Sequence, residues 1–219
     1  MIVAPVIIAP LIIAIDGPAA AGKGTLARRL AAELGFDYLD TGLIYRAVGM
    51  KLARAGRDPA DAALAEETAK ALDPADLSAG DLRVDAAAQA ASKVAAIPGV
   101  RAALLDFQRK FAAHPPGGRG AVLDGRDIGT VVCPEAGVKL FVTASVEKRA
   151  GRRLKELQDK GLAAIYDTVL ADMRERDERD SNRSVAPLVP AGDAVLLDTS
   201  DLDADQAFAA ALEIVKSKG

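Results

Sequence analysis

Residues 12–34 read IIAIDGPAAAGKGTLARRLAAEL, and three signals follow one another in that stretch. An apolar run ends at Asp16. A turn of small residues comes next, Gly17-Pro18-Ala19-Ala20-Ala21-Gly22-Lys23-Gly24-Thr25. Leu26, Leu30 and Leu34 then recur at helical spacing, and Gly35 stops the helix. The order is strand, phosphate loop, helix. Small residues let the backbone close around phosphate oxygens with its N–H groups pointing inward. Lys23 adds a mobile positive charge for the terminal phosphates, and Thr25 places a hydroxyl at the helix start, where it can hold Mg²⁺. A turn that merely happened to be rich in Gly and Ala would need neither the strand nor the helix, so the phosphate reading is preferred. The general pattern ends G-K-[ST]; here Gly24 stands between Lys23 and Thr25.

The 219 residues suffice for one sizeable domain, or one with an inserted subdomain. Half of them are hydrophobic and 27% are charged, which supplies a core and argues against disorder. A net charge of −3 speaks against a general nucleic-acid binder, although arginines crowd between Arg149 and Arg183. The single cysteine, Cys133, leaves no internal disulfide and fits a reducing, cytoplasmic compartment. Met1 to Ile15 carries no charge, but it is short for a membrane span, is interrupted by Pro5 and Pro10, and has no basic segment before it. Leu11–Ile15 therefore reads as a buried parallel strand, apolar because both faces are covered. Ile2–Pro10 reads as a tail or an upstream start. No exposed apolar stripe appears beyond that segment, so a monomer is expected.

Further along, Phe36–Leu39 is a short second strand. Thr41 is placed as the N-cap of a helix running to Ala55 and ended by Gly56. Asp58–Ala79 is alanine-rich and acidic, expected as one helix with polar turns at Asp73-Pro74 and Ser78-Gly80. Ala86–Ala96 is a further helix stopped at Pro98-Gly99. Val100–Ala113 is amphipathic, with Leu104, Phe107 and Phe111 facing inward. His114 lies in a Pro/Gly loop and receives no role. Ala121–Leu123, Lys139–Val142 and Val195–Leu197 are strands; Val146–Asp159, Asp167–Arg179 and Asp203–Lys216 are helices.

Strands alternating with helices predict an α/β fold, a parallel five-stranded sheet covered by helices on both faces. The stretch from Asp58 to Pro98 contains no convincing strand and is treated as a helical insertion. Ligands in such sheets bind beyond the carboxyl ends of the strands. That rule gathers the phosphate loop, then Thr41, Tyr45 and Arg46 after the second strand, then Arg126 and Asp127 after the third.

Several segments carry a resemblance. They are IDGPAAAGKGT, LDTGLIYRAV at 39–48, AASKVAAIPGVRAALL at 90–105, LDGRDIGTVV at 123–132 and RDERDSNRSVAPL at 176–188. The G-K-G-T ending resembles the nucleoside monophosphate kinases. The set as a whole, in order and over most of the chain, resembles the bacterial cytidylate kinases. The phosphate loop alone specifies only a P-loop phosphotransferase; the GRDIGTVV and RDxRDxxR segments discriminate much more.

The resemblance implies transfer of the γ-phosphoryl of ATP, with Mg²⁺, to CMP or dCMP. The attacking oxygen belongs to the acceptor's own phosphate and is already anionic, so no general base is needed. The protein must position two polyanions and neutralise their repulsion. Arginine suits that task because it stays charged and chelates phosphate with paired hydrogen bonds. By resemblance, Gly17–Thr25 hold ATP, with Arg152 a further donor contact beside Arg149 and Arg153. Lys23, Arg126 and Arg183 act in catalysis. Arg46 and Arg126 clamp the CMP phosphate, with Thr41 and Tyr45 beside them. Ser92, Arg101 and Asp127 correspond to the cytosine-reading group, where a carboxylate accepts from the exocyclic amine and would repel uracil's carbonyl. Arg176 and Asp180 hold the ribose and Arg183 the phosphates, on a lid spanning about residues 149–183. The charge run 174–183 would otherwise read as a solvated helix face.

Two features depart from the family pattern. The monophosphate-binding insertion, about residues 57–98, is short and helical where many relatives carry a small sheet. Thr41 stands where some relatives have serine, with the hydroxyl kept. A kinase for AMP or UMP is the nearest alternative, and GRDIGTVV favours cytidylate over it. A P-loop switch would need an N-K-x-D type motif, which is not found. A degenerate, non-catalytic paralogue is disfavoured by the intact Lys23, Thr25, Arg46, Arg126, Asp127, Arg176 and Arg183.

Overall fold

A computed structural model describes residues 10–218; of the N-terminal tail read from the sequence, Ile2–Ala9 lie outside them. Strand β1 (Leu11–Asp16) sits at the centre of a sheet with β2 (Asp37–Asp40), β3 (Gly120–Asp124), β4 (Val138–Thr143) and β5 (Val195–Asp198). The order across the sheet is β2-β3-β1-β4-β5, and every pairing is parallel. The sequence-predicted α/β sheet is therefore the observed one, with strand ends shifted by a residue or so.

Alternation along β1 sorts the two faces. Ile13 and Ile15 point to a core built with Leu26, Leu30, Val122, Leu140, Val142, Ala211 and Val215. That core lies under α1 (Lys23–Leu34) and α8 (Ala204–Lys218). Ala14 points the other way, into a layer with Ala112, Leu123, Ile128 and Val132. This second layer belongs to α5 (Pro98–Ala113) and a π-helical turn at Ile128–Val132. Both faces of the central strands are thus covered, which is why β1 reads as an unbroken apolar run.

The insertion is helical, and among its described residues no strand appears. After α2 (Thr41–Arg54), it holds α3 (Ala62–Lys70), two short 3-10 turns at Pro74–Ser78 and Gly80–Arg83, and α4 (Asp85–Val94). The single helix expected over Asp58–Ala79 is broken instead. The Asp61 carboxylate caps α3 by accepting from the Leu64 N–H, and the Asp73 carboxylate caps the next turn at Ala75, with Pro74 following it. Pro98 is likewise not a stop for the preceding helix but the first residue of α5, where its missing N–H costs nothing.

Two further expectations are corrected. Asp40, not Thr41, is the N-cap of α2; Thr41 is the first helical residue, and its hydroxyl donates to the Asp124 carbonyl at 2.8 Å. Phe107 does not face inward and is 40% exposed. The buried stripe of α5 runs through Val100, Arg101, Leu104, Gln108 and Ala112. Two of these buried positions, Arg101 and Gln108, are polar, so an apolar pattern places the stripe one residue off, through Phe107.

Helices α6 (Val146–Asp159) and α7 (Tyr166–Ser181) form a hairpin at the top of the sheet. They pack through Ala150, Val169 and Met173, with Ala19 and Ala20 of the phosphate loop against the same cluster.

Candidate active site

The carboxyl ends of β1, β2 and β3, the helical insertion and α7 surround one cavity of about 390 Å³. The phosphate loop forms one wall. Its path requires left-handed backbone at Ala20 (φ 57°) and Gly22 (φ 93°). Ala19, Ala20, Gly22, Lys23, Gly24 and Thr25 line the cavity. Gly17, Pro18 and Ala21 shape the loop from behind, and Ala21 is fully buried. Arg149 donates to the Ala19 carbonyl and pairs with Asp177, while the Thr199 hydroxyl bonds the Ala21 carbonyl at 3.1 Å. The loop is therefore braced from two sides. Lys23 is buried, and its ammonium donates to the Pro18 carbonyl at 2.8 Å. Burial and then the neighbouring Arg126 lower its pKa to about 7.

The opposite wall is built from arginine. Arg126 donates to Asp180 at 3.0 Å and to the Gly125 carbonyl at 2.9 Å. Arg183 pairs with the same Asp180 carboxylate, which is only 1% exposed. The Ser92 hydroxyl donates to Asp180 at 3.2 Å and accepts from Arg179 at 3.0 Å. Burial works against the Asp180 charge, but Arg126, Arg183 and Arg176 outweigh it and hold its pKa below the usual carboxylate value. Arg46 reaches the Leu82 carbonyl at 3.3 Å. The Nε atoms of Arg176 and Arg183 are buried without a hydrogen-bond partner among the described residues. Burial, then Arg126, pushes Arg176 down to about 10. One carboxylate thus faces a surplus of guanidinium groups, a field built to receive anions.

A third group lies where α2, α5 and the turn after β3 meet. Arg101 pairs with Asp127, donates to the Ala95 carbonyl at 3.3 Å and stands 5.6 Å from the centroid of the Tyr45 ring. All three are buried. Burial is the main cause of a raised Tyr45 pKa, and its hydroxyl bonds the buried Gln108 side chain.

Two carboxylates at the strand ends, Asp16 in IDGPAAAGKGT and Asp124 in LDGRDIGTVV, belong to the site although sequence reading gives them no role. Asp124, at the end of β3, accepts from the Tyr38 hydroxyl at 2.8 Å. Burial and then Asp40 raise its pKa. It lines the cavity beside Gly24 and Thr25, so this wall offers oxygen donors of the type Mg²⁺ takes. Asp16, at the end of β1, accepts from the backbone N–H groups of Ile128 and Gly129 at 2.8 and 2.7 Å.

The match to known proteins is consistent with this arrangement. A family model described as cytidylate kinase matches residues 13–217. The chain belongs to the cytidylate kinase family. The cytidylate kinase of Paramagnetospirillum magneticum is 86% identical over 207 residues, covering 94% of this chain and 98% of that protein. That of Rhodospirillum rubrum is 65% identical over 209 residues, with 95% and 98% covered. A solved structure of an uncharacterised protein from Eubacterium ventriosum aligns with a TM-score of 0.55 at 16% identity, over 94% of this chain and 99% of that one, and shares the fold alone.

Of the residues that the family pattern points to, the structure brings Thr41, Tyr45, Arg46, Ser92, Arg101, Arg126, Asp127, Arg176, Asp180 and Arg183 to the one cavity that holds the phosphate loop. Outside the phosphate loop, Arg152 is the exception. It faces away from the cavity, donating to the Thr199 hydroxyl at 3.0 Å and to the carbonyls of Thr199 and Leu202. Its neighbour Arg153 lines the cavity instead and pairs with Glu156. Helical phase separates the two, and a run of arginines conceals phase.

Proposed function

We propose that this chain transfers the γ-phosphoryl group of ATP to CMP or dCMP, giving ADP and CDP or dCDP. The observation that carries the reading is a single cavity in which the phosphate loop with Lys23 faces Arg46, Arg126, Arg176 and Arg183. Among the described residues, two of these arginines, Arg176 and Arg183, have a buried Nε with no hydrogen-bond partner. Such a surplus of buried cation is costly unless an anion completes it, and two phosphate-bearing ligands would do so. Membership of the cytidylate kinase family and the high identity of the named relatives give the acceptor its base.

In this reading the loop from Gly17 to Thr25 wraps the donor phosphates and Lys23 follows the γ-phosphate. The Thr25 hydroxyl and the Asp124 carboxylate, both on the cavity wall, are the oxygen donors that suit Mg²⁺. Mg²⁺, when bound, neutralises and orients the donor's terminal phosphates. Arg126 and Arg46 hold the acceptor phosphate, and Arg183 stabilises charge on the group in flight. Arg101 and Asp127 read the cytosine edge with Ser92, the carboxylate accepting from the exocyclic amine. Arg176 and Asp180 take the ribose, and Thr41 and Tyr45 close the floor. No side chain needs to remove a proton, because the attacking phosphate oxygen is already anionic. We read the chain as one kinase domain in which residues 57–98 are the acceptor-binding insertion and 149–183 the lid that excludes water.

The test is an ADP-release assay with ATP and Mg²⁺, offering CMP, dCMP, UMP and AMP in turn. Turnover with CMP and dCMP and little with AMP is expected. Equal turnover with AMP would remove the cytosine assignments while keeping the phosphate loop.

A further inference from the structure

Asp16 lies between the two halves of the site without lining the cavity. It is the last residue of β1 and directly precedes Gly17, where the phosphate loop begins. Its two carboxylate oxygens accept from Ile128 N–H at 2.8 Å and Gly129 N–H at 2.7 Å. These are the first two free donors of the π-helical turn, and they follow directly on Arg126 and Asp127. The turn is closed on itself by the Val131 and Val132 N–H groups, both donating to the Asp127 carbonyl at 2.9 and 3.1 Å. A third tie, Gly125 N–H to the Ile15 carbonyl at 2.9 Å, anchors the start of the same segment on β1. The fit around it is close: a Cβ added at Gly129 would stand 3.4 Å from Asp16 Oδ2 and 3.1 Å from the Lys139 Cδ.

We propose that Asp16 is a positioning residue for the transfer: its carboxylate holds the turn bearing Arg126 and Asp127 at a fixed place relative to the phosphate loop, and so sets the separation of the two reacting phosphates. The inference rests on the acceptor role given above to Arg126 and Asp127. In-line phosphoryl transfer depends steeply on that separation, since a misplacement of about 1 Å can cost on the order of a hundredfold in rate. Among the described residues, Asp16 is the side chain that ties the backbone directly after Asp127 to the strand that feeds the phosphate loop. The arrangement is also poorly explained by stability. Asp16 is 5% exposed, and burial raises its pKa to about 6, so near neutrality its charge is harder to keep in the folded chain than in the unfolded one. A neutral isostere would be expected to fold comparably, which leaves placement of the turn as the reason for the carboxylate.

The experiment compares Asp16→Asn and Asp16→Ala with the wild type. Asn keeps one acceptor oxygen but turns an amide N–H₂ towards the second backbone N–H. We expect a thermal midpoint within a few degrees of wild type for Asp16→Asn and a larger but still cooperative loss for Asp16→Ala, whose two N–H groups lose their acceptor, with ADP affinity, by titration calorimetry, within about threefold in both. We expect kcat with CMP to fall about 10- to 100-fold and the preference for CMP over UMP to narrow. Wild-type kcat and CMP selectivity in both variants would overturn the proposal. So would a loss of ADP affinity in step with the loss of turnover, or failure of both variants to fold, since each would make Asp16 a general structural residue. Wild-type turnover with CMP in the same assay tests the acceptor reading separately: its absence would fail that reading, whereas normal wild-type turnover with unaffected variants would fail this inference alone.

Discussion

Arg126 Nε stands 3.0 Å from Asp180 Oδ2 and joins the turn after β3 to the last turn of α7. The same carboxylate holds Arg183 and the Ser92 hydroxyl, so one buried negative charge keeps the arginine wall together. Removing it leaves like charges facing each other. Asp180→Ala should cost about 3–5 kcal/mol, the usual range for breaking a buried pair. That corresponds to a fall in Tm of roughly 6 °C or more for a chain of this size. CMP should restore part of the loss by supplying a phosphate among the arginines. The wild-type pair should also be acid-sensitive in a defined sense. The folded Asp180 pKa lies below its ordinary 3.8, so its contribution is complete above that value and lost as the pH falls through the folded pKa. Thermal denaturation with and without CMP checks the variant; an unchanged Tm would show that the arginines do not depend on this carboxylate.

Asp127 bears on the acceptor base rather than the donor. Its carboxylate is paired with Arg101 and buried beside Tyr45. Asp127→Ala should lower kcat/KM for CMP by about 10²- to 10³-fold, the scale on which a site loses one preorganised polar group. ATP affinity should change little. Steady-state kinetics with each substrate varied in turn checks this; a collapse of ATP affinity with CMP affinity intact would reassign Asp127 to the donor.

Much of this was legible in the chain because its signals are local. The loop at Gly17–Thr25 declares itself through small residues between an apolar run and a helical repeat, and the parallel sheet follows from alternation of strand and helix. The cavity was legible in part, since the rule that ligands lie beyond the strands' carboxyl ends gathers Tyr45, Arg46, Arg126 and Asp127. What the chain conceals is side-chain direction and long-range pairing. Arg152 and Arg153 differ only in helical phase, and Arg152 is drawn off by Thr199, 47 residues away. Asp16 and Asp124 look like ordinary strand ends until Ile128, Gly129 and Tyr38 are folded against them. Phe107 misleads because the buried stripe of α5 spends two positions on Arg101 and Gln108.

Lys23 should take up a proton when the donor binds. In the free protein, burial and Arg126 bring its pKa down to about 7. A polyphosphate beside it supplies negative charge and raises that pKa, so binding near neutral pH draws a proton from solution. Net uptake of a fraction of a proton is expected near pH 7. Calorimetric titration of ADP in two buffers of different ionisation enthalpy measures it. Lys23→Ala should abolish the uptake and turnover with every acceptor; turnover retained in that variant would sink the phosphate-loop reading.

Two glycines of the loop should fail in different ways when replaced. At Gly17 the backbone has φ of 143°, and an added Cβ would lie 1.9 Å from the Val142 carbonyl oxygen on neighbouring β4. That oxygen belongs to a central strand and cannot move aside without breaking the sheet, so the cost is steric and global. Gly17→Ala should unfold the chain or remove well over about 4 kcal/mol, beyond ordinary substitutions. At Gly22 the φ is 93°, but nothing lies within 4 Å of the added atom. There only the left-handed backbone is strained, about 1–2 kcal/mol, and the new methyl projects where the loop lines the cavity. Gly22→Ala should therefore keep a cooperative unfolding transition while losing ATP affinity. Circular dichroism melts together with ATP titrations separate the two outcomes, and equal loss of fold in both variants would contradict the distinction drawn between the back of the loop and its ligand face.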